Sequence, residues 1–322
     1  MTPPLVSIVS ICWNRKSEII ESLEHIFALD YDNFEVIVVD NNSSDGTSEA
    51  VEELFAQVRL MRTSANIGIG AYNIGFASAK GEYILILDDD SFPAKESVTR
   101  MVEKFSDDPN LGVVAFDVRN YFSYDGIVKA EADKETSLKH LQMTSPKHLQ
   151  MTSPKHLQMT SSKHLQPDYL MGFNGAGAGI RRKLFERIGY YPEEFFLYLN
   201  EQDTSFRVWN SGYKITLFTD CIAYHKFSPK NRTSTRMPFY YTRNMFWLVW
   251  KHYPLPECVR LTVLFIYWCI YYSLEQRTCI YLQAMLNAFI NINKAIAKRN
   301  PVSENIRKNM RVSFIDSFTG YR

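Results

Sequence analysis

Three consecutive aspartates, Asp88, Asp89 and Asp90, follow the apolar run YILIL and are the most chemically suggestive residues of this chain. Side chains alternate along a strand, so Asp88 and Asp90 are predicted to share one side while Asp89 faces the other. Two neighbouring carboxylates repel each other unless a cation or a proton intervenes. Oxygen ligands favour Mg²⁺ or Mn²⁺, which often bind through one or two carboxylates and substrate phosphates. Taken alone, the run fits a metal site or a solvated acidic turn.

Four further polar residues stand at the ends of predicted elements. Asp40 follows the strand-like run FEVIVV, where it could accept an N–H from a nucleobase or close an Asx turn. Glu201 and Asp203 open a predicted helix, where acidic residues favour the helix dipole but could also supply a general base. His225 ends a predicted strand and is either a third metal ligand or a histidine hydrogen-bonded to the backbone.

Strand and helix patterns alternate along the first third of the chain. This alternation predicts an α/β fold whose sheet is mostly parallel and covered by helices on both faces. Ligands of such sheets bind beyond the carboxyl ends of the strands, where Asp40 and the triple aspartate are placed. The predicted strands are LVSIVSI (5–11), FEVIVV (34–39), VRLMRT (58–63), YILIL (83–87) and GVVAFDV (112–118).

The composition is that of a globular protein with two differently charged parts. The chain has 322 residues, of which 46% are hydrophobic and 22% charged, which argues against a disordered, collagen-like or polytopic membrane protein. Residues 226–322 carry 15 Lys+Arg and 4 Asp+Glu, a net charge of +11, which leaves −10 for residues 1–225. The five cysteines contain no C-x-x-C pair, and the N-terminus lacks a basic segment before its short apolar run. We therefore expect a reducing, cytoplasmic setting.

An octapeptide repeat interrupts the pattern at 139–166. KHLQMTSP occurs twice, KHLQMTSS follows, and KHLQ ends the segment. Its histidines could form a metal-binding tract, but at eight-residue spacing they would drift by roughly 80° per repeat around a helix. We therefore predict a flexible insert. The histidines concerned are His140, His148, His156 and His164.

The C-terminal part is aromatic and basic. LTVLFIYWCIYYSL (261–274) is an apolar run of 14 residues, whereas a membrane-spanning helix needs about 20. With its basic surroundings, the run favours a helix lying in a membrane interface over a buried helix of the globular core. We predict a catalytic domain over 1–237, containing the insert, and a helical region over 238–322 with peripheral membrane contact.

Read together, the motifs resemble those of the family 2 glycosyltransferases, an inverting family with the GT-A fold. Each motif is weak alone, but their order over about 220 residues is specific. YYTRN (240–244) also resembles a segment that follows the catalytic core in some members. The quoted motifs are VSIVSICWNR (6–15), FEVIVVDNNSSDGT (34–47), ANIGIGAYNIGFASAKGEYILILDDD (65–90), GAGAGIRRKLFERIG (175–189), FFLYLNEQDTSFR (195–207) and IAYHK (222–226).

The resemblance implies roles for these positions. Asp40 matches the acidic residue that contacts the nucleobase, and Asn73 lies in the helix segment that cradles the nucleotide. Asp88 and Asp90 match the two acids of the D-x-D motif, with Asp90 in direct metal contact, and His225 matches a histidine that completes the metal site in some members. The predicted donor-binding residues are thus Asp40, Asn73, Asp88 and Asp89, and the predicted ligands of Mn²⁺ or Mg²⁺ are Asp90, Asp88 and His225.

The catalytic base departs from the family pattern. The family usually shows Glu-Asp-x-Asp, whereas this chain reads Asn200-Glu201-Gln202-Asp203. Glu201 then stands where the catalytic aspartate usually stands, and Asp203 is the second candidate. The implied base accepts the proton of the acceptor hydroxyl as it attacks the anomeric carbon from the opposite face. Cys12-Trp13 also replaces the common Thr-Tyr, which leaves the nucleotide base open.

The leading hypothesis is a metal-dependent inverting glycosyltransferase. It would use a nucleotide sugar and act on a glycan or lipid-linked glycan at the inner face of a membrane, without a nucleic-acid partner. The alternative is a non-catalytic nucleotide- or glycan-binding subunit, for which Asn200 in place of glutamate leaves room. A sugar nucleotidyltransferase would be expected to show a Gly-rich loop after the first strand, and CWNRKSE contains no glycine.

Overall fold

The computed structural model describes residues 2–121, 172–226 and 235–309. The octapeptide repeat and its four histidines lie outside the described residues. The strands are β1 (Val6–Cys12), β2 (Phe34–Asp40), β3 (Arg59–Arg62), β4 (Tyr83–Asp88), β5 (Ser91–Pro93), β6 (Leu111–Asn120), β7 (Ala178–Arg181) and β8 (Lys214–His225). The helices are α1 (Lys16–Ile26), α2 (Thr47–Leu54), α3 (Gly70–Ser78), α4 (Ser97–Asp107), α5 (Arg182–Ile188), α6 (Asn200–Asn210), α7 (Arg236–His252), α8 (Leu255–Glu275), α9 (Ile280–Ile290), α10 (Asn293–Ile296) and α11 (Glu304–Asn309).

The strands form one sheet in the order β3-β2-β1-β4-β7-β6-β8-β5. The β3-β2-β1-β4 half is parallel throughout, as predicted, and β6 is parallel to β8. β7 runs antiparallel to both of its neighbours, β4 and β6, and β5 runs antiparallel to β8. Because β7 is reversed, its Gly-rich beginning lies beside the carboxyl end of β4, where the acidic run starts.

β7 itself was not predicted, because glycine and alanine have little tendency to form strands on their own. Tight packing explains their presence. A Cβ added to Gly177 would lie 2.7 Å from the Ala223 Cβ, and one on Gly179 would lie 2.2 Å from the Met101 Sδ. The small residues therefore let this segment approach Ala223 of strand β8 and Met101 of helix α4 closely.

Both faces of the sheet are buried. Neighbouring residues of one strand belong to different hydrophobic clusters: Val9 packs with Phe76 and Phe185, whereas Ile8 packs with Leu23 and others on the opposite face. Since side chains alternate along a strand, the two clusters cover the two faces of the sheet. The predicted α/β sheet with helices on both faces is therefore confirmed.

The C-terminal helices complete one of these two cores. Trp247 of α7, Phe265 of α8 and Tyr281 of α9 are fully buried in the same cluster as Val9 and Phe76. The helical C-terminal region is thus present as predicted, and it shares a core with the sheet. The boundary at 237/238 stays a prediction, and it falls just after the start of α7 at Arg236.

The packing of α3 on the sheet yields a stability prediction. A Cβ on Gly75 would lie 2.6 Å from Val9 Cγ1 and 3.3 Å from Val39 Cγ2, so Gly75→Ala overpacks the core. We expect it to lower the free energy of unfolding, measured in urea, by about 1–3 kcal/mol. Gly70→Ala in the same helix is the control, since its Cβ would meet nothing closer than 3.5 Å. Equal effects of the two substitutions would contradict this packing.

Candidate active site

Asp88, Asp90 and His225 form an acidic cluster with one imidazole at the edge of the sheet. One ligand atom from each lies within 4.8 Å of the others. His225 Nε2 is 2.9 Å from Asp90 Oδ1 and 3.7 Å from Asp88 Oδ2. The pairing of β5 with β8, in which Ser91 is opposite His225, brings together residues that are far apart in the sequence.

The chemistry of this cluster fits a divalent cation. Two carboxylates and a neutral imidazole are a ligand set that Mn²⁺ accepts readily, and Mg²⁺ accepts the oxygen donors. Asp90 and His225 are buried, whereas the side chain of Asp88 is 41% exposed. The cluster is therefore closed on the protein side and open on the side from which substrate oxygens could approach.

Arg15 is a site residue to which the sequence analysis assigned no role. Its Nη1 lies 3.2 Å from Asp89 Oδ1 and 2.9 Å from Asp90 Oδ2, and all three side chains are largely buried. Burial and the neighbouring carboxylates raise the pKa of Asp89 well above its usual range, and this guanidinium opposes the rise. Asp89 contacts Arg15, so its predicted part in donor binding stays untested. The sequence signal that could have indicated this role is a basic residue three positions after the first strand.

Asp40 ends β2 next to Cys12 at the end of β1. Its carboxylate is buried, with Oδ1 accepting a hydrogen bond from Ser43 N at 3.0 Å and Oδ2 accepting one from the Ser48 hydroxyl. The turn-closing interpretation is therefore realised in the structure, and the predicted nucleobase contact stays a prediction. Trp13 follows Cys12, and Arg236 lies over its ring at 5.6 Å.

Asn73 joins α3 to the segment before α6. Its side-chain amide donates to Tyr191 O and to Glu193 Oε1, both at 3.0 Å, and its oxygen accepts from Tyr191 N at 3.0 Å. These three hydrogen bonds use the amide to connect two parts of the chain. The predicted contact of Asn73 with the nucleotide stays a prediction.

Glu201 lies in the first turn of α6, on the side of the Gly-rich segment before β7. A Cβ on Gly175 would lie 2.6 Å from Glu201 Oε1, so the glycine makes room for the carboxyl group. Burial, with the negative charge of Asp88 adding to it, raises the pKa of Glu201 to about 7. A carboxyl group with this pKa can exchange a proton near neutral pH.

Comparison with known families completes this description. Residues 7–189, more than half of the chain, match the family model described as glycosyl transferase family 2. The chain belongs to glycosyl transferase family 2. This match confirms the family resemblance of the motifs. The matched range contains the motifs at 34–47, 65–90 and 175–189 in full, and the first motif from Ser7 onward.

Two curated relatives of this family 2 protein are bacterial. Glycosyltransferase GlyG of Streptococcus pneumoniae is 33% identical over 125 residues, which are 38% of this chain and 40% of GlyG. The poly-beta-1,6-N-acetyl-D-glucosamine synthase of Staphylococcus aureus is 29% identical over 116 residues, 34% of this chain and 27% of the synthase. The similarity thus spans less than half the length of either relative.

Solved structures share the fold. The mannosyltransferase PcManGT from Pyrobaculum calidifontis, in complex with GDP-Man and Mn²⁺, is 18% identical with a TM-score of 0.55 over 99% of this chain and 86% of that chain. Staphylococcus aureus TarS 1–349 in complex with UDP-GlcNAc is 16% identical with a TM-score of 0.54 over 98% and 89%. These likenesses confirm the predicted GT-A fold.

Asp203, the second candidate base of this family 2 protein, lies in a buried ion-pair network. Its Oδ1 is 2.7 Å from Lys251 Nζ and 2.8 Å from His252 Nε2, and its Oδ2 is 2.9 Å from Arg207 Nε. Burial alone would raise the pKa of Asp203, but the three partners hold it well below its usual range. Asp203 is fully buried within these contacts, and its predicted role as a base stays a prediction.

This network predicts a pH-dependent stability. Asp203→Asn leaves buried cations without their counterion and should cost about 3–5 kcal/mol at pH 7. Because the native pKa is depressed, the carboxylate's contribution is present above the ordinary carboxyl pKa of about 4 and is lost as the pH falls through the native pKa. The difference between wild type and variant, measured by urea unfolding at pH 7, 4 and 3, should therefore be nearly constant above about pH 4 and shrink at pH 3.

The control for this substitution is Asp220→Asn. Asp220 pairs with Lys104 at 3.1 Å on the surface, with its side chain 41% exposed, so we expect a change within about 0.5 kcal/mol. A cost for Asp203→Asn that is as small as the control's, or that does not vary with pH, would contradict the network.

Proposed function

We propose that this family 2 protein is an inverting glycosyltransferase that moves a sugar from a nucleotide-sugar donor to a hydroxyl group of a glycan or lipid-linked glycan. The observation that carries the proposal is the placement of Glu201 beside the Asp88–Asp90–His225 cluster. A carboxyl group with a raised pKa thus stands next to a set of ligands for a divalent cation. Sugar transfer from a nucleoside diphosphate needs both functions close together.

Asp88, Asp90 and His225 would hold Mn²⁺ or Mg²⁺. When bound, the cation supplies positive charge for the diphosphate of the leaving group. Arg15 keeps the Asp90 carboxylate in place through its 2.9 Å contact and compensates the charge of Asp89. The hydroxyl of Tyr72 shares its one proton between Leu87 O at 2.8 Å and Asp88 Oδ1 at 3.2 Å, and so contacts the partly exposed carboxylate of the cluster.

Glu201 would act as the general base. A base is most effective when its pKa lies near the working pH, and a pKa of about 7 leaves a large fraction of the carboxylate ionised at neutral pH. It would accept the proton of the acceptor hydroxyl while that oxygen attacks the anomeric carbon on the face opposite the diphosphate. One such displacement inverts the anomeric configuration, and no covalent sugar–enzyme bond is needed.

The donor would lie across the ends of β1, β2 and β4. Asp40 and Trp13 border this crevice on the side of β1 and β2, which supports nucleobase binding there. The structural neighbours were solved with both guanine and uracil nucleotides, GDP-Man in PcManGT and UDP-GlcNAc in TarS. Because these neighbours bind different bases, the base of the donor stays open for this chain.

A thermal-shift panel tests the donor and metal sites. We expect one of UDP, TDP, GDP and CDP, together with Mn²⁺, to raise the melting temperature, since saturation at 100 times Kd stabilises by about 2.7 kcal/mol. Asp90→Asn should remove the metal-dependent part of the shift. Glu201→Gln should keep the thermal shift. It should lower the rate at which the nucleoside diphosphate is released from UDP-GlcNAc, UDP-glucose, dTDP-glucose, CDP-glucose or GDP-mannose by about 10²–10⁴-fold.

The matched control is Asp117→Asn, which removes a surface carboxylate paired with Arg119 at 2.9 Å. It should behave as the wild type in both assays. Binding without turnover in the wild type would favour the non-catalytic subunit over the enzyme. The absence of a shift with every nucleotide would overturn the donor site itself.

We propose further that the C-terminal helices rest on an anionic membrane surface. α8 has 21 residues and is long and apolar enough to cross a membrane. Only 33% of its most apolar 18-residue stretch is buried inside the protein. One face of α8, including Phe265 and Cys269, belongs to the protein core. Because that face is already covered by protein, we propose that α8 lies along the membrane and does not cross it.

The opposite face of α8 supports this orientation. Its exposed apolar side chains follow helical spacing, and no charged residue occurs between 261 and 274. Two exposed basic residues, Arg260 and Arg277, flank the apolar run and complement anionic lipid headgroups. The exposed apolar face of α8 consists of Leu255, Val259, Val263, Tyr267, Ile270, Tyr271 and Leu274.

Vesicle binding tests the membrane proposal. We expect the protein to co-sediment with vesicles containing phosphatidylglycerol and to bind phosphatidylcholine vesicles more weakly. The double variant Val263→Glu, Ile270→Glu should reduce binding at least about 10-fold, since each buried aliphatic side chain contributes about 1.5–3 kcal/mol. Leu54→Glu, at an exposed apolar position of α2, should leave it unchanged. If the double variant instead dissociates a dimer and binds vesicles normally, a second copy covers this face.

A further inference from the structure

The segment that leads into α6 has an unusual backbone. Phe196, Tyr198 and Leu199 have φ angles of 60°, 66° and 64°, which is the left-handed region. Residues with a Cβ rarely adopt it, because the Cβ approaches the backbone closely. Three such residues within four positions require the surroundings to hold the segment in place. We call residues 196–199 the left-handed segment.

Asn244 of α7 binds this segment through its side-chain amide. Its Nδ2 lies 3.1 Å from Phe195 O, 2.7 Å from Leu197 O and 3.0 Å from Tyr198 O, so its two N–H groups serve three carbonyls and one N–H is shared. The residue is fully buried, so water does not compete for these carbonyl groups. One amide group thus contacts three carbonyl oxygens within four residues of the chain.

Arg243 orients that amide and adds two further hydrogen bonds. Its Nε donates to Asn244 Oδ1 at 3.0 Å, which makes the Asn244 oxygen face the guanidinium and the NH₂ group face the segment. Its Nη2 donates to Glu194 O at 3.1 Å and to Phe195 O at 2.5 Å. The two neighbouring residues act as one clamp, which we call the Arg243–Asn244 clamp.

The other side of the left-handed segment is held by the start of α3. Ile69 N donates to Phe196 O at 2.8 Å. A Cβ on Gly68 would lie 2.0 Å from the same carbonyl oxygen, so only glycine permits this approach. The segment is therefore fixed between α3, which follows the β3 edge of the sheet, and α7, which belongs to the C-terminal region.

The left-handed segment sets the direction of α6. Leu199 O accepts the first helical hydrogen bond, from Asp203 N at 3.0 Å, and Glu201 lies two residues after Leu199. A change in the backbone of this segment would rotate the first turn of α6 and move the Glu201 carboxyl group away from Gly175. The position of Glu201 thus depends on contacts made by α7.

We infer that Arg243 and Asn244 are positioning residues for sugar transfer, which hold the left-handed segment so that Glu201 faces the donor crevice. The inference rests on the proposed function of Glu201. Arg243 and Asn244 are the last two residues of YYTRN, which resembles a segment of other family members. The inference gives these two residues a specific contact in this chain. The clamp also makes the C-terminal helices a requirement for turnover as well as for the hydrophobic core.

Asn244→Asp is the sharpest test of the clamp. The aspartate has the same shape but no N–H, so three carbonyl oxygens would face carboxylate oxygens. The network of Asp203 with Lys251 and His252 still joins α6 to α7, which supports folding of the variant. We expect kcat for release of the nucleoside diphosphate from the nucleotide sugars named above to fall by about 10–100-fold, because displacement of a catalytic group by about 1 Å has an effect of this size.

Two further readouts separate positioning from general damage. The KM for the nucleotide sugar and the Mn²⁺-dependent thermal shift should stay within about twofold of the wild type, since the clamp contacts neither Asp40 nor the acidic cluster. Hydrogen–deuterium exchange should quicken in the peptide covering 193–206. Arg243→Gln, which introduces no buried charge, should lower kcat in the same direction and serves if Asn244→Asp does not fold.

Thr262→Val is the matched control. Thr262 accepts a hydrogen bond from Trp250 Nε1 at 2.9 Å, so this substitution also removes a polar contact of α7 without changing side-chain shape. It should lower the melting temperature and leave kcat and exchange in 193–206 unchanged. An unchanged kcat in both clamp variants, or a kcat loss matched by Thr262→Val, would overturn the clamp. A wild type without turnover would overturn the proposed function, and the inference with it.

Discussion

The concentration of negative charge at the end of β4 is the constraint on which the site depends. Asp88, Asp89 and Asp90 stand together at the edge of a buried sheet, where carboxylates cannot remain ionised without nearby positive charge or hydrogen-bond donors. Arg15 approaches from the start of α1, and His225 approaches from the end of β8. The order of the strands therefore decides which charges meet, and the exposed Asp88 leaves the cluster open toward a substrate.

A second dependence runs from the C-terminal helices to the site. α7 makes two contacts with α6 and its leading segment: Asn244 holds the segment before α6, and Lys251 with His252 holds Asp203 in the first turn of α6. Both contacts are buried, so they are stronger and more specific than contacts on the surface. The same helix packs against α8, whose other face we propose to rest on a membrane. Membrane contact and the placement of Glu201 would then share one structural element.

The carboxyl groups of α6 illustrate how position decides chemistry. Glu201 and Asp203 are two residues apart on one helix, yet one has its pKa raised by burial beside Asp88 and the other has its pKa lowered by two buried cations and a histidine hydrogen bond. The first can exchange a proton near neutral pH, whereas the second remains an anion that binds the helices together. From the sequence, either residue could be the base, because the direction of each side chain depends on the left-handed segment before the helix.

The parallel half of the sheet and the acidic run at a strand end could be predicted from the residues alone, because the local hydrophobic pattern shows both the alternation of strand and helix and the burial of both sheet faces. The order of the motifs in the sequence also predicted the family. The tertiary structure alone decided that β7 is reversed, that Arg15 compensates Asp89 and Asp90, and that Arg243 and Asn244 hold the segment before α6. The side-chain contacts join residues 46 to 75 positions apart in the sequence. The reversal of β7 depends on its pairing with β4 and β6, which come much earlier in the chain. No local residue pattern encodes contacts over such separations.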